Sequence, residues 1–156
     1  MIECIVDFVS ITKNRKGVLI MSVLTYNDQL RNLLSDVDCV LAFDTAADFL
    51  GLTNGGYRAK AQIFVSKKQN IVGTEEIIVP SLEVIEYEEH NGLLCTTVNR
   101  TIVDLLEQNG DEQIITESLA NYYDEHDESF NGLTVPEHLL SRFEKYKEWA
   151  MTYYEE

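Results

Sequence analysis

The sequence predicts an α+β fold: a small, mostly antiparallel central sheet with helices gathered mainly in the C-terminal half. Three observations carry this. Short apolar runs bounded by polar turns and glycines, the pattern of strands, occupy much of the chain as far as Thr97. From Val98 onward the apolar residues recur at helical spacing instead. The apolar share of 45%, with only two prolines in 156 residues, suits a folded domain with a sizeable core and argues against disorder.

In chain order, Ile2, Cys4, Val6 and Phe8 alternate with Glu3, Ile5 and Asp7, which predicts a first strand. Residues 13–17 form a polar turn ahead of the apolar run 18–23, which leaves a β-hairpin and a buried helix both open. Thr25, with Asp28 three residues on, has the spacing of a capping box. Leu30, Leu33 and Leu34 then supply the apolar stripe of a helix ending near Ser35-Asp36. In the next helix Phe43, Ala46, Ala47 and Leu50 share one face, Asp44 sits near the positive N-terminal end, and Gly51 stops it.

Asn54-Gly55-Gly56 reads as a loop, and residues 61–65 and 76–79 as strands joined by a lysine-bearing connection. Residues 84–87 and 93–97 read as two more strands around a turn at His90-Asn91-Gly92. Val98, Ile102, Leu105 and Leu106 stripe a helix capped by Thr97 and closed by Asn109-Gly110. Asp111 caps another helix to about Tyr123, and residues 124–132 form an acidic loop. Thr134-Val135-Pro136-Glu137 has the spacing of a second capping box with proline in the first turn. The long last helix then carries Leu139, Leu140, Phe143, Tyr146, Trp149, Ala150 and Tyr153. Core packing is the default for that face, and an aromatic-rich interface the minority reading. Residues 1–37 are expected to form an N-terminal strand and helix arm, and 38–156 the α+β domain, the two making one compact unit.

Charge is distributed unevenly. The formal net charge is −15, yet residues 1–80 hold nine acids and eight bases, and residues 81–156 eighteen acids and four bases. The second half therefore repels nucleic acid and anionic membranes and favours cationic partners, unless it serves solubility alone. Cys4, Cys39 and Cys95 are odd in number, lie among aliphatic residues and form no CxxC, so they read as buried reduced thiols of a cytoplasmic protein. Glu3 and Asp7 break the N-terminal apolar run, so no signal peptide is expected, and no apolar stretch approaches the ~18 residues of a membrane span.

Several constellations have a simpler reading beside the chemical one. Asp36 and Asp38 beside Val40-Leu41 are spaced like the metal-binding acids of a nucleotidyltransferase, but the glycine-serine turn that would hold phosphate is missing, and a cap and turn explain them. Asp44 and Asp48, four residues apart on a helix, read as a solvated face. Asp127, Ser129 and Asn131-Gly132 match the opening of a calcium loop, but His138 stands where the bidentate glutamate should be. His90, His126 and His138 lack metal-ligand spacing, and there is no GxSxG, Walker loop, GxGxxG or HExxH. Arg58, Lys60, Lys67 and Lys68 bracket the strand at 61–65; with 27 acids in the chain they suit strong phosphate binding less than the guarding of an edge strand.

Two segments point to a family. One is Val40–Leu52, an apolar helix with Thr45-Ala46-Ala47 and Leu50-Gly51-Leu52, followed by Gln62-Ile63-Phe64-Val65; the other is Thr96-Thr97 with Arg100-Thr101-Ile102 and Asp104-Leu105-Leu106. Over residues 38–123 the chain resembles the C-terminal domain of AbiEi-like antitoxins of bacterial abortive-infection and type IV toxin–antitoxin systems. The resemblance implies the antitoxin half of such a pair, with a nucleotidyltransferase-like toxin as partner and Arg100 and Asp104 as motif positions. It departs from the family in having no recognisable N-terminal winged helix within residues 1–37, so direct promoter binding is not implied.

The expectation is thus a non-enzymatic, cytoplasmic antitoxin-like or regulatory interaction protein with no catalytic residue, cofactor or metal. Its partner would be the cognate toxin or another protein with a basic surface, with no membrane association and with direct nucleic-acid binding doubtful. Candidate partner-binding residues are Arg58, Lys60, Arg100, Asp104, Glu86, Glu88, Glu89, Asp124, Glu125, Asp127 and Glu128. The alternative is an acidic mobile-element inhibitor, of anti-CRISPR or anti-restriction type, that mimics nucleic acid to block a nuclease.

Overall fold

The computed structural model describes residues 9–13, 19–23, 25–53 and 60–155, the first two stretches as backbone only. The expected strand at residues 2–8 and the loop at 54–56 lie outside the described residues. The chain divides into two compact units, Met1–Asp38 and Cys39–Glu156.

In the first unit, β1 (Val9–Lys13) pairs antiparallel with β2 (Leu19–Val23) in the register Val9 to Val23, which decides the open question at 18–23 for the hairpin. Helix α1 (Tyr26–Leu34) begins with the expected capping box: the Asp28 amide donates to Thr25 Oγ1 at 3.2 Å and the Thr25 amide to Asp28 Oδ2 at 3.2 Å. Those hydrogen bonds from Thr25, with Arg31 at 3.3 Å adding to them, hold the Asp28 carboxyl below its usual range. Of the predicted stripe Leu30 and Leu34 are buried, while Leu33 is 39% exposed. At 3.6 residues per turn Leu33 stands about 100° round the helix from Leu34, to one side of the face that Leu30 and Leu34 share.

The second unit is a five-stranded mixed sheet with the helices that follow it. The strands are β3 (Val40–Leu41), β4 (Ala61–Val65), β5 (Thr74–Ile78), β6 (Tyr87–His90) and β7 (Leu93–Thr96), in the spatial order β5-β4-β3-β7-β6. β3 runs antiparallel to β4 and parallel to β7; β5 is parallel to β4 and β6 antiparallel to β7. With the hairpin of the first unit, three of the five strand pairings are antiparallel, as the sequence predicts.

Every residue of β4 is buried, since it lies inside the sheet between β3 and β5. Lys60, Lys67 and Lys68 therefore flank an interior strand, which corrects their reading as guards of a sheet edge. Among the described residues the edges are β5 and β6. The strand expected at 84–87 is likewise displaced. Residues Leu82–Val84 form a 3-10 turn capped by Ser81, Ile85 buries itself beneath it, and the strand proper starts at Tyr87. Asn91 and Gly92, with φ of 50° and 88°, make the two-residue turn into β7.

Helix α2 (Phe43–Phe49) follows β3 without a loop. Its N-cap is Ala42, which has no side chain to offer, and the Asp44 amide instead donates to Gln62 Oε1 of β4 at 3.1 Å. The Gln62 amide donates to Thr45 Oγ1 at 2.9 Å, so strand and helix cap one another across the sheet. Phe43 pays for this abrupt turn with φ of 50°, costing on the order of 1–3 kcal/mol for a bulky side chain. Its ring rests on Phe64 at 5.5 Å.

Helices α3 (Val98–Gln108), α4 (Glu112–Glu125) and α5 (Leu140–Met151) complete the unit. The main core joins Ala47 and Leu52 to Ile102, Leu105 and Leu106 of α3, Ile115 and Leu119 of α4, and Phe143 and Tyr146 of α5. A second cluster of Val40, Ala42, Phe64 and Ile85 belongs to the sheet. α4 is buried over six consecutive residues, 115–120, the mark of a helix enclosed on most sides. Among the described residues no helix is long and apolar enough to cross a membrane.

The capping box expected at Thr134 does not form. Residues 133–136 are irregular, a 3-10 turn spans Glu137–Leu139, and α5 begins only at Leu140 with no side-chain cap. Asn99 of α3 has taken the Thr134 backbone: it accepts from the Thr134 amide at 2.7 Å and donates to the Thr134 carbonyl at 3.2 Å. This long-range pairing satisfies the backbone that a local cap would have used.

Candidate interaction surfaces

The start of α3 shows how its two motif residues are set. β7 ends in two threonines that turn the chain into the helix. Thr97 Oγ1 caps the Arg100 amide at 3.2 Å, and Thr101 Oγ1 reaches back to the Thr97 carbonyl at 2.8 Å and to Thr96 Oγ1 at 2.6 Å, fully buried. One turn further, Arg100 Nε donates to Asp104 Oδ1 at 2.8 Å. The arginine side chain is 28% exposed and the carboxylate 10%, and the guanidinium lies 5.9 Å from the centre of the Phe64 ring. Asp104 Oδ2 is buried with no hydrogen-bond partner. Burial pushes the Asp104 carboxyl above its usual value of 3.8, and the hydrogen bond and charge of Arg100 only partly oppose that. Arg100 and Asp104 are thus a structural clamp between α3 and the sheet, with only the arginine open to solvent.

Glu86, Glu88 and Glu89 behave differently. All three are exposed, on or beside the edge strand β6. Glu88 comes within 3.7 Å of His90 Nε2, and the His90 ring stands edge-on to Phe49 of α2 at 5.7 Å. Glu86 and Glu89 make no ion pair among the described residues.

Asp124, Glu125, Asp127 and Glu128 are also exposed, at the C-terminal end of α4. Asp127 and Glu128 both have left-handed backbone, with φ of 54° and 55°, and the Glu128 amide closes the turn on the Tyr123 carbonyl at 3.0 Å. His126 stacks on Tyr122 with ring centres 3.8 Å apart. The calcium-like loop is committed to its own folding. Ser129 Oγ accepts from the Asn131 amide at 3.0 Å and the Asn131 carbonyl accepts from Tyr122 Oη at 2.8 Å. A Cβ on Gly132, already at φ of 97°, would meet that phenolic oxygen at 2.9 Å. His138 is paired with Glu107 at 2.6 Å. Among the described residues no three His, Cys, Asp or Glu side chains converge as a metal set.

The structure therefore sorts the sequence candidates into three places: the half-buried pair Arg100 and Asp104, the sheet edge with Glu86, Glu88 and Glu89, and the turn after α4. β6 packs on β7, whereas α4 packs on α3 and α5. Lys60 is exposed just before β4, and Arg58 lies outside the described residues. Asp36 and Asp38 are exposed in the segment after α1. Cys39 and Cys95 are both buried, and burial pushes the Cys95 thiol up to about 12, which keeps it protonated at neutral pH.

The sequence holds a signal for the position of β6: counting back across Asn91-Gly92 from the strand at 93–96 places its partner at 87–90, whereas the apolar Val84-Ile85 suggests a strand three residues earlier. No family model matches the chain, and no curated protein matches it.

Proposed function

We propose that this chain is a non-enzymatic interaction protein of antitoxin-like type, which binds and neutralises a partner with a basic surface. One observation carries the reading. The acids Glu86, Glu88, Glu89, Asp124, Glu125, Asp127 and Glu128 are all exposed, and apart from the approach of Glu88 to His90 none has a cationic partner among the described residues. Unneutralised carboxylates on a folded surface attract a cationic partner and set its encounter rate. The buried, protonated Cys95 thiol and the calcium-like loop spent on its own hydrogen bonds also favour binding over chemistry. The resemblance of residues 38–123 to AbiEi-like antitoxins names the partner as a cognate nucleotidyltransferase-like toxin in the cytoplasm.

Co-expression with the product of the adjacent gene tests this. That product is expected to arrest growth alone, to be silenced by this chain, and to co-purify with it in a complex that weakens as salt rises. A harmless neighbour, or a toxic one that this chain neither binds nor silences, would overturn the reading. The same unpaired acids favour a second reading, a nucleic-acid mimic that occupies the cationic groove of a nuclease. Competition separates the two: a mimic is displaced from its target by DNA or RNA, whereas an antitoxin bound away from a nucleic-acid groove is not.

A further inference from the structure

We infer that the outer edge of β6 is a docking site for an extended, lysine- or arginine-bearing segment of a partner protein, which joins the sheet as a further strand. The inference rests on the proposed reading as an interaction protein and assigns that interaction a place and a geometry. Among the described residues the sheet order leaves β6 with β7 on one side and no strand on the other. The register fixes which backbone groups are left over. A two-residue turn makes His90 and Leu93 a hydrogen-bonded pair, and in an antiparallel ladder such pairs alternate. Glu88 and Glu86 therefore also point their amides and carbonyls at β7, as the 3.1 Å bond from the Thr97 amide to the Glu86 carbonyl shows. The amides and carbonyls of Tyr87 and Glu89 point the other way, out of the sheet. Among the described residues they have no hydrogen-bond partner, and Tyr87 is 40% exposed with both neighbouring glutamates open to solvent.

The chemistry of the edge selects its occupant. Glu86 and Glu88 share one face of the strand, while Tyr87 and Glu89 share the other. A second copy of this chain, adding the same edge, would set glutamates against glutamates, which opposes self-pairing. A strand with basic residues two apart meets Glu86 and Glu88, and on the opposite face the half-exposed Tyr87 ring takes an aliphatic stem or an apolar side chain. Backbone hydrogen bonds supply the docking, and charge supplies the choice of partner.

The test is a titration of the isotope-labelled full chain with a short peptide of alternating lysine and valine, followed by amide hydrogen exchange. The amides of Tyr87 and Glu89 are expected to gain at least about tenfold in protection, while those of Glu88 and His90, already bonded to β7, stay as they were. The same peptide N-methylated at every residue keeps its charge but offers no amide N–H on either edge, and is expected not to bind. Replacing Glu86, Glu88 and Glu89 together by glutamine should weaken binding by about tenfold at low salt and flatten its salt dependence. Equal binding of the N-methylated peptide, or protection appearing elsewhere than at Tyr87 and Glu89, would overturn strand addition. If a toxic neighbour binds while these two amides stay unprotected, the inference fails and the antitoxin reading stands. If the peptide docks here and no neighbour binds, the reverse holds.

Discussion

The acids of the helical layer and the acids of the β6 edge carry the same formal charge and do opposite things. Among α3, α4 and α5 several carboxylates have work inside the fold. Glu112 accepts from Lys145 at 3.1 Å and Tyr146 Oη at 3.3 Å, Glu107 pairs with His138, and Glu117 is buried beside Tyr153. Arg142 likewise spends its guanidinium on the Leu106 carbonyl. On β6, Glu86 and Glu89 hold nothing together. A net charge of −15 is therefore two quantities, a part spent on packing helices and a part left for solvent or a partner. Only the second part bears on function, and only the structure separates them.

The comparison breaks most visibly in the core beneath the helices. Leu119 of α4 is fully buried in the cluster that joins α2, α3, α4 and α5. Leu119→Ala is expected to cost about 2–5 kcal/mol, read from the urea midpoint, because a close-packed site cannot collapse around the missing atoms. A loss under ~1 kcal/mol would mean that this layer is far looser than its burial implies.

Arg100 and Asp104 sit between the two regimes, one side chain at the surface and one inside. Arg100→Gln leaves the carboxylate buried without its counter-charge and should cost about 1–3 kcal/mol at pH 7, less than a fully buried pair because the guanidinium is partly screened by water. The pH dependence gives the sign. Since burial raises the Asp104 carboxyl in the folded state, its contribution is fully present below the unfolded value near 3.8 and is lost as pH rises through the raised folded value. Removing Arg100 raises the folded value further, so the gap between wild type and Arg100→Gln should narrow as pH falls toward 4. Asp104→Asn should abolish that narrowing. A gap independent of pH would remove Asp104 from the account.

Legibility in the sequence followed the range of the interactions involved. The cap at Thr25, the stripe of α3 and the stop at Gly51 are set by residues within one turn, and they stand where their spacing puts them. The start of α5, the position of β6 and the exposure of Leu33 depend on partners far along the chain or on how much of a helix the fold covers. Asn99 pairs with Thr134 across 35 residues, and no local pattern announces it. The seven acids could be read as a group from the sequence, but which of them lie on a sheet edge could not, because edge and interior are properties of strand order.

That misplaced cap makes a sharp pair of variants. If Asn99 holds the Thr134 backbone, Asn99→Ala loses two hydrogen bonds and should cost about 1–2 kcal/mol. Thr134→Ala keeps the backbone and loses only a hydroxyl that caps nothing, so its cost should stay within ~0.5 kcal/mol. The reverse order, measured by thermal unfolding of both variants, would restore the capping box and sink the long-range account.

The smallest expected effect on stability is at the edge itself. Glu88 and Glu89 are exposed, Glu88 approaches only a partly exposed histidine, and neither packs against the core. Substituting both with glutamine keeps side-chain length and β6 geometry while removing two like charges from neighbouring positions. The urea midpoint should therefore move by no more than ~0.5 kcal/mol, and in the stabilising direction if it moves at all, since self-repulsion is being relieved. The difference should shrink in high salt, because screening already weakens what the substitution removes. A destabilisation of ~1 kcal/mol or more would assign these glutamates a structural task like that of Glu112. The acids of the edge and of the helical layer would then be one population, and the charge left over for a partner would have to be sought at the turn after α4.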